Sequence, residues 1–460
     1  MSNMGKRFDF EYIVIGGGVA GTTAALRLAK ANRKVAIIEQ NKWGGAGMAS
    51  RDVPEKALFS FSHLYADAIA GNKFGITSSN LKYNYPTVVH WRDTATQKAV
   101  PKKKDLEAAG IVCLKGKAHF ISTNDISVGD GKFSANKFII ATGAETSTEG
   151  ISGTEIVPYY TPTSALAIQR PPKAVIVVGG GSSGIEIAEY YAELGAKVVL
   201  LESADQLLPK EDIEVGQVIE QYLSKKLGIK IFTKTRVIAL EKDKISPKVV
   251  FMRNGQERTI RVETIVLATG SAPATDLGLA NAKVSFDKTG IVVDRTLQTS
   301  ARNIMAVGDV IGGESSTERA IYTAEVAVQN ILERSKTYVN FDGFMRVVDT
   351  NPQIATIGIT EKELAKKTKK YKKVIVPLSA VQASITSDFK IGFIKLLVDS
   401  QGKLVGSSLI CPNAEIVLQE ISLVMRHNLP LVQIASTPHR NGSWTELIKV
   451  AARQILSAKK

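Results

Sequence analysis

The chain has 460 residues, of which 44% are apolar and 22% charged. That is ordinary globular composition with room for about three domains at roughly 100–200 residues each. Only two cysteines are present, Cys113 and Cys411, which excludes a secreted disulfide framework and a cysteine-rich metal site. The histidines at 63, 90, 119, 427 and 439 show no metal-ligand spacing, so no metal is expected. The net charge is +15, but no nucleic-acid module accompanies it, so no nucleic-acid partner is expected. Its basic runs, at 102–104 and 366–373, read as solvated faces first and as contacts for an acidic protein or an anionic membrane surface second.

In chain order, the segment from Met1 to Phe10 is charged and has no apolar signal core. Nowhere does an unbroken apolar stretch reach the roughly 18 residues needed to span a bilayer, so a cytoplasmic location is expected. An apolar strand at 12–15 runs into the turn Gly16-Gly-Gly18-Val-Ala-Gly21, an Ala/Leu-rich helix and a second strand at 35–39 that ends in Glu39. A strand at 137–140 leads into Ala-Thr142-Gly143. The whole pattern then recurs: a strand at 174–178, Gly179-Gly-Gly181-Ser182-Ser-Gly184, a helix through about Leu194 and a strand at 198–202 ending in Glu202. A strand at 264–267 leads into Ala-Thr269-Gly270. Gly16 is as far from Glu39 as Gly179 is from Glu202, which marks an internal repeat. A short strand then leads to Gly308-Asp309. From about 339 the chain is strand-rich around 354–359, 393–399 and 404–410, and then helical.

Each residue type in the repeat has a physical role. Gly16 and Gly179 allow the tight turn out of the strand, Gly18 and Gly181 let a pyrophosphate approach the backbone, and Gly21 and Gly184 let helix and strand pack closely. Phosphates then sit at a helix N-terminus, where free N–H groups and the dipole favour negative charge. Glu39 and Glu202 are placed to accept hydrogen bonds from an adenosine ribose. Two such units with their acids predict two dinucleotide sites in an α/β fold.

These segments resemble the pyridine nucleotide-disulfide oxidoreductase family, most closely its dihydrolipoamide dehydrogenase branch, over nearly the whole chain. The resemblance implies that the first unit binds FAD and the second NAD(P), and that Asp309 meets the ribityl and phosphate region of the flavin. It implies two Rossmann-like domains, the FAD domain formed by 1–152 and 272–338 with the NAD domain at 153–271 inserted. A C-terminal α+β domain at 339–460 would make an isologous homodimer. Gly44, Gly45, Ala118, Thr142, Gly143, Ser182, Val237 and Gly270 join the implied cofactor-binding residues. Lys56 is implied to lie beside the flavin and to pair with Glu186, the two forming the catalytic hydride-transfer machinery.

The chain also departs from this family. Relatives carry GGTCxxxGCxPSKAL; here the stretch reads Gly44-Gly45-Ala-Gly47-Met-Ala-Ser-Arg-Asp52-Val-Pro54-Glu-Lys56-Ala-Leu58, so Gly47 and Asp52 stand where the two cysteines would. Neither can form a thiolate or a disulfide. Near the C-terminus Asn441, Gly442 and Glu446 match the family's His, Pro and Glu, and asparagine cannot serve as an acid or base near neutral pH. His439 matches only a neighbouring position. Glu202 would repel the 2′-phosphate of NADPH, which favours NADH. The expected activity is therefore an FAD-dependent NADH oxidoreductase whose electrons pass to a non-disulfide small molecule of quinone type. A nicotinamide transhydrogenase and a non-catalytic FAD/NADH-binding partner protein are the alternatives.

Overall fold

The computed structural model describes residues 8–77, 80–243, 246–368 and 370–457. Most of the Met1-to-Phe10 segment and Lys369 of the basic run lie outside the described residues. No described helix is long and apolar enough to cross a membrane.

The first glycine unit builds a seven-stranded sheet. Phe10–Ile15 is its parallel centre, flanked by Val35–Glu39 and Gly131–Ile140, with Val112–Lys115 beyond Val35–Glu39. Strands that read as unbroken apolar runs become buried on both faces, as parallel strands with covering helices must be: Ile13, Val14, Ile37 and Ile139 are all fully buried. The late strand Ile304–Ala306 returns to this sheet, pairing Ile304 with Phe138 and Ala306 with Ile140. The strand predicted from 137 begins instead at Gly131. Its first half pairs antiparallel with Asp125–Val128 across a turn at Gly129, whose φ is +57°. Only its second half shows the apolar run.

The second unit repeats the plan with four parallel strands in the order Lys230–Phe232, Lys197–Leu201, Ala174–Val178 and Thr264–Leu267. Beside it stands a three-stranded antiparallel sheet, Thr235–Lys242, Pro247–Arg253 and Gln256–Arg261. The C-terminal region is a five-stranded antiparallel sheet made from Met345–Val348, Gln353–Gly358, Leu404–Cys411, Phe393–Asp399 and Tyr371–Pro377, in that order. The helix Glu446–Ser457 packs on this sheet through Leu447, Ile448, Ala451, Ala452 and Ile455. Those positions form one apolar stripe at helical spacing, which is why that segment is a helix and why that face is buried.

Candidate active site: two nucleotide cradles on one cleft

Both glycine turns open on a single cleft of about 2270 Å³. At Gly16 the backbone has φ +109°, and a Cβ there would stand 2.2 Å from the Ala141 carbonyl oxygen; Gly179 repeats this at +107°, 2.2 Å from the Ala268 oxygen. Only glycine satisfies both the angle and the space. Side chains at Gly21 and Gly184 would meet the carbonyls of Gly16 and Gly179 at 1.8 and 1.9 Å, so each helix packs directly on its own turn. Gly18 and Gly181 have room around them. The helices they precede, Val19–Lys30 and Ser182–Glu193, have no side-chain cap and no acid in the first turn. Their terminal N–H groups and dipoles therefore remain free for a phosphate.

The two ribose-directed acids are held alike. Glu39 is buried, accepting from the Gly17 N–H at 2.7 Å and the Asn41 N–H at 2.5 Å. Glu202 is buried, accepting from the Gly180 N–H at 2.5 Å and the Ala204 N–H at 2.6 Å. Backbone donors stabilise each carboxylate; Glu202 Oε1 also accepts from the Ser203 hydroxyl at 3.1 Å, and the oxygens with a single donor, both of Glu39 and Oε2 of Glu202, keep a lone pair for a ribose hydroxyl. The residues present thus fit an adenine dinucleotide twice over. Asp309 lies in the short turn Gly308–Ile311. Burial raises its carboxyl, while the Ser315 hydroxyl and the charges of Arg319 and Arg51 oppose the rise.

Between the cradles runs a wide, π-type helical stretch, Gly45–Asp52, continuing as the helix Val53–Ala70. Gly47 and Asp52 face each other: a Cβ on Gly47 would lie 3.6 Å from Thr317 Oγ1 and 4.0 Å from Asp52 Oδ2. The Thr317 hydroxyl donates to Asp52 Oδ2. Cys113 is half-buried on the strand Val112–Lys115 and Cys411 is buried on Leu404–Cys411. Both thiols are free, and neither lines the cleft.

Among the predicted site residues, Gly21, Gly44 and Gly184 lie behind the cleft wall and shape it; all the others line it. The predicted pairing of Lys56 with Glu186 does not form. Lys56 lines the cleft but is exposed, and Glu186 meets Arg51, whose guanidinium reaches to 4.0 Å of Glu186 Oε2. Helix geometry explains the exchange. Arg51 and Glu55 are four residues apart and share a face, linked at 3.2 Å, and that face is turned to the Ser182–Glu193 helix. Lys56 is one position further round. Arg51 also donates to Ser183 Oγ at 2.6 Å.

Glu186 is buried, and its Oε1 accepts from the Asp349 N–H at 2.9 Å. Burial, and then the neighbouring Glu55 charge, push its carboxyl well above the usual carboxylate range. Glu55 moves the same way, chiefly by burial, against the pull of Arg51. Two carboxyls this close titrate as a unit and hold a proton between them. Nothing in the sequence singled out Arg51 except its four-residue spacing from Glu55. His439 is held by Glu420 Oε2 at 2.8 Å and the Thr437 carbonyl at 2.9 Å.

The sequence profile of the pyridine nucleotide-disulphide oxidoreductases matches residues 10–330, and that family's dimerisation domain matches 344–452. The chain belongs to the pyridine nucleotide-disulphide oxidoreductase family. Its similar family members include a mercuric reductase of Bacillus cereus, 30% identical over 96% of this chain and 71% of that protein. A dihydrolipoyl dehydrogenase of Geobacillus stearothermophilus is 29% identical over 97% of this chain and 96% of that protein. The HOCl-induced flavoprotein disulfide reductase RclA of Escherichia coli superposes with a TM-score of 0.84 at 25% identity, covering 97% of this chain and all of RclA. Members of this family contain FAD and take electrons from NAD(P)H, and the dimerisation domain supports a homodimer.

Proposed function

We propose that the protein is an FAD-dependent NADH oxidoreductase whose electrons reach a small, non-disulfide acceptor of quinone type without a thiol relay. The observation that carries this reading is the pair Gly47 and Asp52 standing face to face in the cleft wall, with both thiols of the chain elsewhere. A thiol relay needs two sulfurs within bonding reach of each other, and neither residue has one.

When bound, FAD supplies a two-electron carrier between nicotinamide and acceptor. The first glycine turn and Glu39 would hold its adenosine half, and the second turn and Glu202 would hold the adenosine half of NADH. The buried Glu202 carboxylate, fixed by two backbone donors, opposes a 2′-phosphate and favours NADH over NADPH. Reducing a quinone to the hydroquinone with NADH consumes one further proton. The coupled Glu55 and Glu186 carboxyls keep one at the cleft wall, and Arg51 fixes their position.

The test is an anaerobic NADH titration of the purified yellow protein, followed by a short-chain quinone, lipoamide, NADP or oxygen as oxidant. The flavin should bleach with NADH and be reoxidised rapidly by the quinone and far more slowly by lipoamide. Efficient lipoamide reduction would refute the proposal, rapid reoxidation by NADP would favour a transhydrogenase, and a flavin that NADH cannot bleach would favour a non-catalytic binding protein.

A further inference from the structure

Deep between the helices Val53–Ala70 and Ser182–Glu193, away from the cleft-lining residues, His63 meets Glu189 and Glu193, with one ligand atom of each within 4.8 Å of the others. Glu189 is 1% exposed and Glu193 9%. Elsewhere among the described residues, buried acids have a cation or several backbone donors: Asp212 has Lys395, Glu211 has Arg346, Glu39 and Glu202 have N–H groups. This trio breaks that rule. Among the described residues, neither oxygen of Glu193 has a partner at hydrogen-bond geometry; burial raises its carboxyl, and the nearby Ser62 hydroxyl, which donates to the Phe59 carbonyl, opposes that rise. Glu189 accepts from the Asn351 N–H at 3.1 and 3.2 Å and has the Tyr222 hydroxyl beside it, but no Lys or Arg charge acts on it. An imidazole and two buried carboxyls whose donor atoms converge, with no Lys or Arg charge acting on either acid, leave a space that a cation can occupy.

We propose that His63, Glu189 and Glu193 bind one divalent transition-metal ion through one nitrogen and two carboxylate donors. Mixed imidazole and carboxylate ligation suits zinc or manganese better than a thiophilic or purely oxygen-seeking ion. Glu189 and Glu193 are one helical turn apart and so project from one face of their helix. The exposed Asp67, one turn beyond His63, gives a charged approach from solvent. A bound ion ties the helix that continues the first nucleotide unit to the glycine-turn helix of the second. Through the Asn351 N–H on Glu189 it also reaches the C-terminal region. Its role is to lock these elements together, and it takes no part in electron transfer.

The test uses the flavin-loaded protein, stripped with EDTA, desalted and titrated with Zn(II) by calorimetry while Tm is followed. About one equivalent should bind and raise Tm, because an ion that binds only the folded state stabilises it. Glu193→Gln keeps the volume, removes one carboxylate donor and should weaken binding by roughly ten-fold or more. His63→Ala should do the same, while Cys113→Ser and His439→Ala should leave the isotherm unchanged. Flavin absorbance and bleaching by NADH should persist in Glu193→Gln, showing that the fold is intact. Absence of Zn(II) uptake by the stripped protein, or uptake that is unchanged in Glu193→Gln, overturns the proposal.

Discussion

At the scale of single residues, the cleft shows how a charged cluster can be rebuilt with different members. Arg51 satisfies two buried carboxyls that would otherwise face each other uncompensated. Its own side chain is 35% exposed, so solvent screens part of its effect. Arg51→Met is expected to lower stability by about 1–2 kcal/mol at pH 8. The loss should shrink between pH 8 and pH 5, because Glu55 and Glu186, whose carboxyls are both raised, take up protons before ordinary carboxylates do and then need the cation less. Urea melts of the variant and the parent at both pH values would check this. A loss that grew on acidification would contradict the charge assignment. Glu39 and Glu202 were legible in the sequence because a Rossmann-like unit fixes the distance from glycine to acid. Arg51 was not, because two of the groups it meets, Glu186 and Ser183, come from the other nucleotide unit. The His63, Glu189 and Glu193 trio stayed hidden for the same reason: only the packing of two distant helices brings it together.

At the scale of elements, the glycine turns are the most constrained points of the chain. Gly21→Ala would drive a methyl group to 1.8 Å from the Gly16 carbonyl oxygen. It should force the Val19–Lys30 helix off its turn, costing about 1–3 kcal/mol. Because that movement also displaces the free helix terminus, flavin content after purification should fall together with Tm. Gly195→Ala, where nothing lies within 4 Å of the added methyl although φ is +89°, should cost only local strain and leave flavin content unchanged. Flavin loss from both variants alike would show that the close packing at Gly21 is unimportant. The parallel strands were readable because burial on both faces makes them continuous apolar runs. The hairpin Asp125–Val128 with Gly131–Ile140 and the three-stranded sheet from Thr235 to Arg261 were not read: Asp125–Val128 alternates but is only four residues long, and Pro247–Arg253 and Gln256–Arg261 mix polar and apolar residues without a clean period. The π-type stretch Gly45–Asp52 likewise has no simple sequence pattern, although glycines at 44 and 45, both at positive φ, mark its start.

At the scale of the whole molecule, the most buried of the ion pairs that fasten the C-terminal sheet to the second nucleotide unit centre on one lysine, beside the Arg346–Glu211 pair. Lys395 is 1% exposed and meets Asp212 at 3.2 Å, Glu214 at 2.9 Å and Glu361 at 2.7 Å. Lys395→Met leaves those acids facing one another and should cost about 3–5 kcal/mol. The same network sets a pH dependence. Burial alone would raise Glu361, but hydrogen bonds from Lys373, Lys395 and Tyr371 hold it down at about 2. Its contribution is therefore complete above the ordinary value of 4.5 and is lost as the pH falls toward 2. With Lys373 partly exposed, this amounts to about 1–2 kcal/mol. Glu361→Gln should flatten the acid limb of the stability curve in that window, and an unchanged limb would contradict the assignment.

The account turns on electrons crossing this protein without passing through sulfur. The direct measurement is quinone reduction by NADH in the double variant Cys113→Ser, Cys411→Ser, in which the Pro412 carbonyl that accepts from the buried Cys411 thiol at 3.4 Å remains available to a serine hydroxyl. Turnover within about two-fold of the parent, per bound flavin, is the predicted result, since no step requires a thiolate. A drop of roughly a hundred-fold or more with the flavin still bleached by NADH, equivalent to about 2.7 kcal/mol of lost transition-state stabilisation, would mean that a thiol carries the electrons after all.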